Sequence, residues 1–223
     1  MLIIFDLDDT LIDTSGSILP YKLQRALQIM VEHGLLVSDF NEALEMIKMI
    51  DVRSDSTRHA LKEFLEIHDA EERLLKIACD EIYENKYFEY DILPTKLAVE
   101  VLSELSKKHI LSLCSVGIKD IQIEKMKKAG IDTSLFSRIV VCKEPNKKIY
   151  YQQLIEDLKV SPLEVIVCGD RVKRDLSPGK ALGFKTVHMK WGRGLHQKGE
   201  KNDIDFTITS LDQLKPIIMQ FEN

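Results

Sequence analysis

The chain has 223 residues, of which 44% are hydrophobic and 30% are charged, and its net charge is −5. These values are ordinary for a globular protein, and they exclude a largely disordered chain. The acidic balance argues against a nucleic-acid partner, because such proteins usually present a basic face. Neither a signal peptide nor an apolar stretch of the roughly 20 residues that span a bilayer is visible, so we expect a cytoplasmic protein without membrane association.

The four cysteines, Cys79, Cys114, Cys142 and Cys168, do not have the close spacing of a metal site. Three of them lie in apolar runs that are typical of buried strands. We therefore expect all four to be reduced residues of the core, which agrees with a cytoplasmic setting.

The first predicted element is a strand at Leu2–Phe5, a continuous apolar run that is interrupted by Asp6. A run of this kind is typical of a strand that is buried on both faces. From about Thr14 to Leu93 the sequence has no convincing strand pattern, and successive stretches show helical spacing of apolar residues. We therefore predict an α-helical domain at residues 14–93, inserted after the first strand.

Strands and helices alternate after this insert. Apolar runs predict further strands at His109–Ser115, Arg138–Cys142, Glu164–Asp170 and Phe184–Met189. The amphipathic stretches between them predict helices, and this alternation indicates a parallel sheet covered by helices on both faces. The predicted fold is therefore α/β, with a doubly wound, Rossmann-like parallel sheet formed by residues 1–13 and 94–223.

Acidic residues follow two of the predicted strands. Asp6 and Asp8 lie two positions apart, so both side chains point to one side if the chain is still extended there. Asp170 ends a later strand, Asp175 follows it, and Gly169 is expected to permit a tight turn. Ligands bind beyond the carboxyl ends of strands in such sheets. If the two strands are neighbours, their carboxylates meet there, and such crowding is unfavourable unless a cation or protons relieve it. Oxygen ligands favour Mg²⁺ as that cation.

Four segments resemble the motifs of the haloacid dehalogenase (HAD) superfamily, in the same order. The segment FDLDDTLID at Phe5–Asp13 resembles motif I, whose usual form is DxDxT, and CGDRVKRD at Cys168–Asp175 resembles motif IV. The segment LSLCSVG at Leu111–Gly117 resembles motif II and supplies Ser115. Motif III is a lysine ahead of a helix, for which NKKIYYQQL offers Lys147. The predicted helical insert resembles the small α-helical cap of one subclass.

The chain departs from the HAD pattern in two places. Motif II continues here with Val116–Gly117, where Asn or Gly usually follows the Ser or Thr. The motif III lysine is often followed by proline, but here Pro145 comes first, so Lys143, Lys147 and Lys148 compete for the role. Spacing back from motif IV favours Lys147.

The resemblance implies a magnesium-dependent phosphatase that attacks phosphorus with Asp6 and forms an aspartyl-phosphate. Asp8 is then the acid and base for the leaving group and the water, and Lys147 offsets negative charge. The implied substrate-binding residues are Ser115, Val116 and Lys147. The implied metal-binding residues are Asp6, Asp8 through its backbone carbonyl, Asp170 and Asp175.

Asp8 favours phosphoryl transfer over dehalogenation, because a departing halide needs no proton whereas an alkoxide does. We expect a small phosphorylated metabolite as the substrate and water as the acceptor. A phosphomutase of the same superfamily is the alternative within this class. A non-catalytic phosphoacceptor or binding protein is the alternative outside it, although the long helical insert argues against a receiver-type phosphoacceptor.

Overall fold

The computed structural model describes residues 1–197 and 199–221. The chain forms two compact units, one of Met1–Thr14 with Asp91–Asn223 as far as it is described, and one of Ser15–Tyr90. None of the helices in the described part of the chain has the length and apolar character needed to cross a membrane.

The larger unit contains a six-stranded sheet, counted over the described residues, in which every neighbouring pair of strands is parallel. The strands are β1 (Leu2–Phe5), β2 (Ile110–Val116), β3 (Phe136–Cys142), β4 (Val165–Gly169), β5 (Lys185–Met189) and β6 (Phe206–Ile208). Their order in the sheet is β3-β2-β1-β4-β5-β6. The winding therefore reverses at β1, as in the doubly wound folds whose ligands bind at that reversal. The predicted α/β fold is confirmed.

The helices of the described residues are, in chain order, α1 (Thr14–Ser17), α2 (Leu19–Glu32), α3 (Phe40–Arg53), α4 (Thr57–Ile67), α5 (Arg73–Tyr83), α6 (Ala98–Leu105), α7 (Lys119–Lys128), α8 (Lys148–Leu158), α9 (Ser177–Lys180) and α10 (Leu214–Met219). Helices α2 to α5 belong to the smaller unit, which has no strand among its residues. Asp39 caps the N-terminus of α3, because its carboxylate accepts a hydrogen bond from the amide of Glu42 at 2.9 Å.

Apolar side chains of the central strands form the core of the larger unit. Leu2 and Ile4 of β1 point to one face, where they pack in a buried cluster with Tyr151 of α8 and Phe184. All four residues of β1 are fully buried. This explains why the strand is a continuous apolar run rather than an alternating one.

The strand register brings the predicted motifs to one edge of the sheet. Phe5 at the end of β1 pairs with Leu113 of β2 on one side and with Cys168 of β4 on the other. The residues that follow these positions therefore emerge together at the carboxyl ends of the strands. They include Asp6 and Ser115.

Candidate active site

Asp6 and Lys147 form a buried ion pair at the edge where the strands end. The amide of Asp6 donates to the carbonyl of Cys168 at 2.9 Å, which extends the β1–β4 pairing by one residue. The Lys147 ammonium lies 2.6 Å from Asp6 Oδ1 and also 2.6 Å from Asp175 Oδ1. Burial by itself would lower the pKa of Lys147, but the two carboxylates raise it well above its ordinary value. The lysine therefore remains charged.

Lys147 is the one of the three competing lysines that reaches this cluster. It stands immediately before α8 and is 1% exposed. Lys143 and Lys148 are both exposed. The structure thus places the lysine that the motif spacing favours beside Asp6.

Asp175 approaches the backbone of β4 very closely. It lies on a short π-helix at Val172–Leu176, and its Oδ2 accepts a hydrogen bond from the amide of Arg171 at 2.9 Å. A Cβ on Gly169 would lie 2.5 Å from the Cβ of Asp175. Gly169 is the last residue of β4 and does not have a positive φ, so it does not adopt the left-handed conformation that favours glycine. The glycine is needed because Asp175 occupies the space that a side chain would take.

Asp170 is the third buried acid of the site. Its carboxylate lies 3.3 Å from Arg171 Nε, and its backbone carbonyl lies 3.0 Å from His188 Nε2. A carbonyl only accepts hydrogen bonds, so Nε2 of His188 carries the hydrogen. Burial lowers the pKa of His188, which keeps the ring neutral. His188 on β5 therefore fixes the backbone from which Asp170 projects.

The carboxylates of Asp6, Asp170 and Asp175 form a compact group in which one oxygen of each lies within 4.8 Å of the others. Burial raises the pKa of Asp6 to about 7, and Lys147 offsets only part of this effect. Burial and the neighbouring acids likewise raise the pKa of Asp170 well above its ordinary value. The site thus has a surplus of negative charge on oxygen atoms alone, which is the environment that a hard divalent cation prefers.

Asp8 faces a different set of partners, because the chain turns after Leu7, whose carbonyl accepts hydrogen bonds from later amides of the same loop. Asp8 Oδ1 accepts hydrogen bonds from Thr14 Oγ1 at 2.5 Å and from Lys125 Nζ at 2.8 Å, and Oδ2 accepts one from Gln122 Nε2 at 3.0 Å. Burial opposes ionisation of Asp8, but Lys125 and these hydrogen bonds outweigh it and lower the pKa. Asp8 itself forms a parallel β-bridge with Ile12, and the chain turns back in the residues that follow.

Ser115 and Val116 lie at the end of β2, beside α7. Ser115 is 1% exposed, and its hydroxyl oxygen lies 2.8 Å from Gln122 Nε2. The carbonyl of Val116 lies 3.1 Å from the same nitrogen. Gln122 thus contacts both motif II residues.

Gln122 and Lys125 were not identified from the sequence. They are three positions apart on α7 and therefore share a face of that helix. In a helix as polar as KDIQIEKMKK this spacing does not distinguish them from ordinary surface residues. The usable signal is their position on the first helix after motif II.

The later loop at Trp191–Gly194 contacts the remaining acids of motif I. Trp191 Nε1 donates to Asp13 Oδ1 at 2.8 Å, and the amide of Arg193 donates to Asp9 Oδ2 at 3.3 Å. Asp9 has a φ of 57° and is 4% exposed. These two acids therefore have structural partners in the loop that follows β5.

Comparisons with known proteins agree on one family. The family described as haloacid dehalogenase-like hydrolase matches residues 3–189. A glyceraldehyde 3-phosphate phosphatase of Pyrococcus furiosus is 31% identical over 228 residues, which cover 97% of this chain and 92% of that protein.

Two solved structures share the fold. A predicted phosphoglycolate phosphatase from Haemophilus somnus superposes with a TM-score of 0.73 at 20% identity and covers 97% of this chain and 96% of its own. The HAD-hydrolase YfnB of Bacillus subtilis, bound to magnesium, superposes with a TM-score of 0.68 at 18% identity and covers 97% of both chains. At these identities the two structures show a common fold and no more. The sequence match over most of the chain goes further: this protein belongs to the haloacid dehalogenase-like hydrolase family.

Proposed function

We propose that the protein is a phosphoric monoester hydrolase that removes phosphate from a small phosphorylated metabolite through an aspartyl-phosphate on Asp6. The observation that carries this proposal is the buried Asp6 carboxylate, 2.6 Å from the Lys147 ammonium and grouped with two further acids. A carboxylate that must approach an anionic phosphate needs positive charge next to it. The names of the relatives support the same class of reaction.

In the first step, an oxygen of Asp6 forms a bond to phosphorus while the bond from phosphorus to the ester oxygen breaks. Asp8 gives a proton to the departing oxygen. The Ser115 hydroxyl donates a hydrogen bond to a phosphate oxygen, and the Lys147 ammonium offsets the charge between nucleophile and phosphate. The pair with Lys125 holds Asp8 ionised between turnovers, so the proton for this step arrives with the substrate or from solvent.

In the second step, water attacks the phosphorus of the aspartyl-phosphate, and Asp8 takes a proton from that water. The bond between phosphorus and the Asp6 oxygen breaks, which releases inorganic phosphate and restores the Asp6 carboxylate. Asp8 thus serves as acid and then as base, and the proton that it takes from water passes to solvent or to the departing phosphate, which restores the ionised Asp8 for the next cycle.

The donor set fits a magnesium ion. The carboxylates of Asp6, Asp170 and Asp175, with the backbone carbonyl of Asp8, would hold Mg²⁺, and the raised pKa values of Asp6 and Asp170 show that their charge is not fully compensated. When bound, Mg²⁺ would supply Lewis-acid stabilisation of negative charge on the phosphate.

The substrate is the finer part of the proposal. Relatives that align with 97% of this chain are glyceraldehyde 3-phosphate phosphatases, so that ester is the first to test. In this proposal the helical unit Ser15–Tyr90 takes the part of the cap and contributes to substrate choice.

The test is phosphate release from a panel of esters, with and without Mg²⁺. The panel contains glyceraldehyde 3-phosphate, 2-phosphoglycolate and a hexose phosphate. Asp6→Asn should lower metal-dependent release about a thousandfold or more, because it removes the attacking group. Asp120→Asn is the matched control, since Asp120 is an exposed acid at the start of α7, and it should retain activity.

Three other results would replace this proposal. Full activity of Asp6→Asn would remove Asp6 as the nucleophile. Isomerisation of a sugar phosphate without net phosphate release would identify a phosphomutase. A stable phosphorylated protein that does not turn over would identify a phosphoacceptor.

A further inference from the structure

The side-chain amide of Gln122 connects the two parts of the site that bind phosphate and move protons. Its Nε2 lies 2.8 Å from Ser115 Oγ, 3.0 Å from Asp8 Oδ2 and 3.1 Å from the carbonyl of Val116. A carboxylate and a carbonyl only accept hydrogen bonds, so chemistry alone assigns the nitrogen, rather than the amide oxygen, to this position. A hydroxyl that accepts from this amide keeps its own hydrogen to donate.

The surrounding backbone holds the Gln122 amide in place. Gln122 is 2% exposed, and its backbone N–H donates to the carbonyl of Ile118 at 3.0 Å in the first turn of α7. Gly117 has a φ of +147°, and a Cβ at that residue would lie 3.4 Å from Cδ and Nε2 of Gln122. The side chain therefore lies directly against the backbone that leads from β2 into α7.

Helix α7 contacts both oxygens of the Asp8 carboxylate. Gln122 holds Oδ2, while Lys125, one turn later, places its ammonium 2.8 Å from Oδ1. A carboxylate held at both oxygens has little rotational freedom. Its direction relative to Ser115 is therefore set by the helix together with Thr14, whose hydroxyl donates to Oδ1 at 2.5 Å.

We propose that Gln122 is a positioning residue, which ties the proton-transferring carboxylate of Asp8 to the phosphate-binding hydroxyl of Ser115. Lys125 holds the other oxygen of this carboxylate through its contact with Oδ1. The inference rests on the proposed function, because Gln122 acts only through Asp8 and Ser115.

The test compares two leaving groups in Gln122→Met, which keeps the size of the side chain and removes its donors. An alkyl ester, glyceraldehyde 3-phosphate, needs a proton on its leaving oxygen, whereas 4-nitrophenyl phosphate releases a weakly basic phenolate that does not. We expect kcat/KM for the alkyl ester to fall about tenfold to a hundredfold, because a misplaced general acid lowers the rate by a factor of this size. For 4-nitrophenyl phosphate it should fall no more than about threefold.

Two controls separate positioning from a general structural defect. Gln153→Met makes the same substitution on the exposed face of α8 and should leave both values unchanged. In an Asp8→Asn background, Gln122→Met should change kcat/KM for the alkyl ester by less than about twofold, because residues that act through one another are not additive.

Equal losses with both esters in Gln122→Met, or additive losses with Asp8→Asn, would overturn the inference while leaving the proposed function in place. If the wild-type protein hydrolyses neither ester and Asp8→Asn has no activity to lose, the proposed function fails and the inference fails with it. Unfolding of Gln122→Met is checked by its melting temperature. If the variant does not fold, Gln122→Asn and Gln122→Leu are tested in its place, by the same ratio of the kcat/KM values for the two esters.

Discussion

At the scale of single residues, the main feature of this protein is a cluster of three acids and one lysine. They are buried together at the ends of β1 and β4. Lys147 contacts Asp6 and Asp175, and Arg171 contacts Asp170. Burial of a charge without full compensation is unfavourable, and here it raises the pKa of Asp6 to about 7. The metal-free protein therefore carries a free-energy penalty that depends on pH.

The sign of this dependence follows from the raised pKa. Between the ordinary value of 3.8 and the value of about 7 in the folded protein, folded Asp6 binds a proton that the unfolded chain has released. The folded state then binds more protons than the unfolded state, so stability falls as pH rises through this window. The pKa of Asp8 is lowered, so Asp8 affects the pH dependence of stability only below this window.

We predict that Asp6→Asn removes this contribution. In chelator, the free energy of unfolding of the wild type relative to Asp6→Asn should fall by on the order of 1 kcal/mol per pH unit between about pH 4 and about pH 7. Denaturant unfolding of both proteins at several pH values measures the difference, which cancels the effect of His188 and of other groups that do not interact with Asp6. Parallel pH profiles of the two proteins would contradict the prediction.

The sequence identifies those site residues whose chemical type is unusual for their place. Asp6, Asp170 and Asp175 interrupt or follow apolar strands, so they stand out in the sequence. Gln122 and Lys125 are ordinary residues in a polar helix, and only the packing of α7 against the end of β2 gives them partners. Pattern reasoning finds the first kind of residue and misses the second.

At the scale of secondary-structure elements, the end of β4 is a closely packed part of the site. Gly169 ends the strand, and the π-helix that follows brings Asp175 back against it. A helical irregularity of this kind often occurs at a functional site, where it redirects a side chain. Here it directs Asp175 toward Lys147.

We predict that Gly169→Ala abolishes most of the activity and destabilises the fold. The added methyl group would lie 2.5 Å from the Cβ of Asp175, so Asp175 has to move away from Lys147. Such overpacking typically costs about 1–3 kcal/mol. Phosphate release and denaturant unfolding measure the two effects.

Gly130→Ala is the control for Gly169→Ala. Gly130 has a φ of +71° and open space around its Cα, so alanine there should cost about 1 kcal/mol of stability and no activity. If Gly169→Ala loses no more activity than Gly130→Ala, Asp175 does not need its observed position.

Elements were predictable in proportion to their burial and length. Strands β1 to β5 were each predicted to within a few residues, because each contains an apolar run that no amphipathic helix of the chain resembles. Strand β6 was not predicted, since Phe206–Ile208 has three residues and one of them is an exposed threonine. Its identity as a strand comes from pairing with β5, which is information that a local pattern does not contain.

For the molecule as a whole, the implied metal links activity to stability. A ligand that binds only the folded state stabilises it by mass action, by about 2.7 kcal/mol at a hundred times its Kd. We predict that chelator abolishes phosphate release, that Mg²⁺ restores it, and that Mg²⁺ raises the melting temperature. Mg²⁺ should not raise the melting temperature of Asp170→Asn, whereas it should raise that of Asp120→Asn as it does for the wild type. Unchanged activity after metal removal would refute the magnesium role.

The central place of β1 in the sheet has a consequence for synthesis on the ribosome. This strand is made before both of its partners, because it pairs with β2, which starts at Ile110, and with β4, which starts at Val165. The apolar segment Leu2–Phe5 thus stays incompletely paired until β4 has been made, and unpaired apolar strands favour aggregation. A chaperone that shields this segment of the nascent chain should therefore raise the yield of folded protein more than one that acts after release.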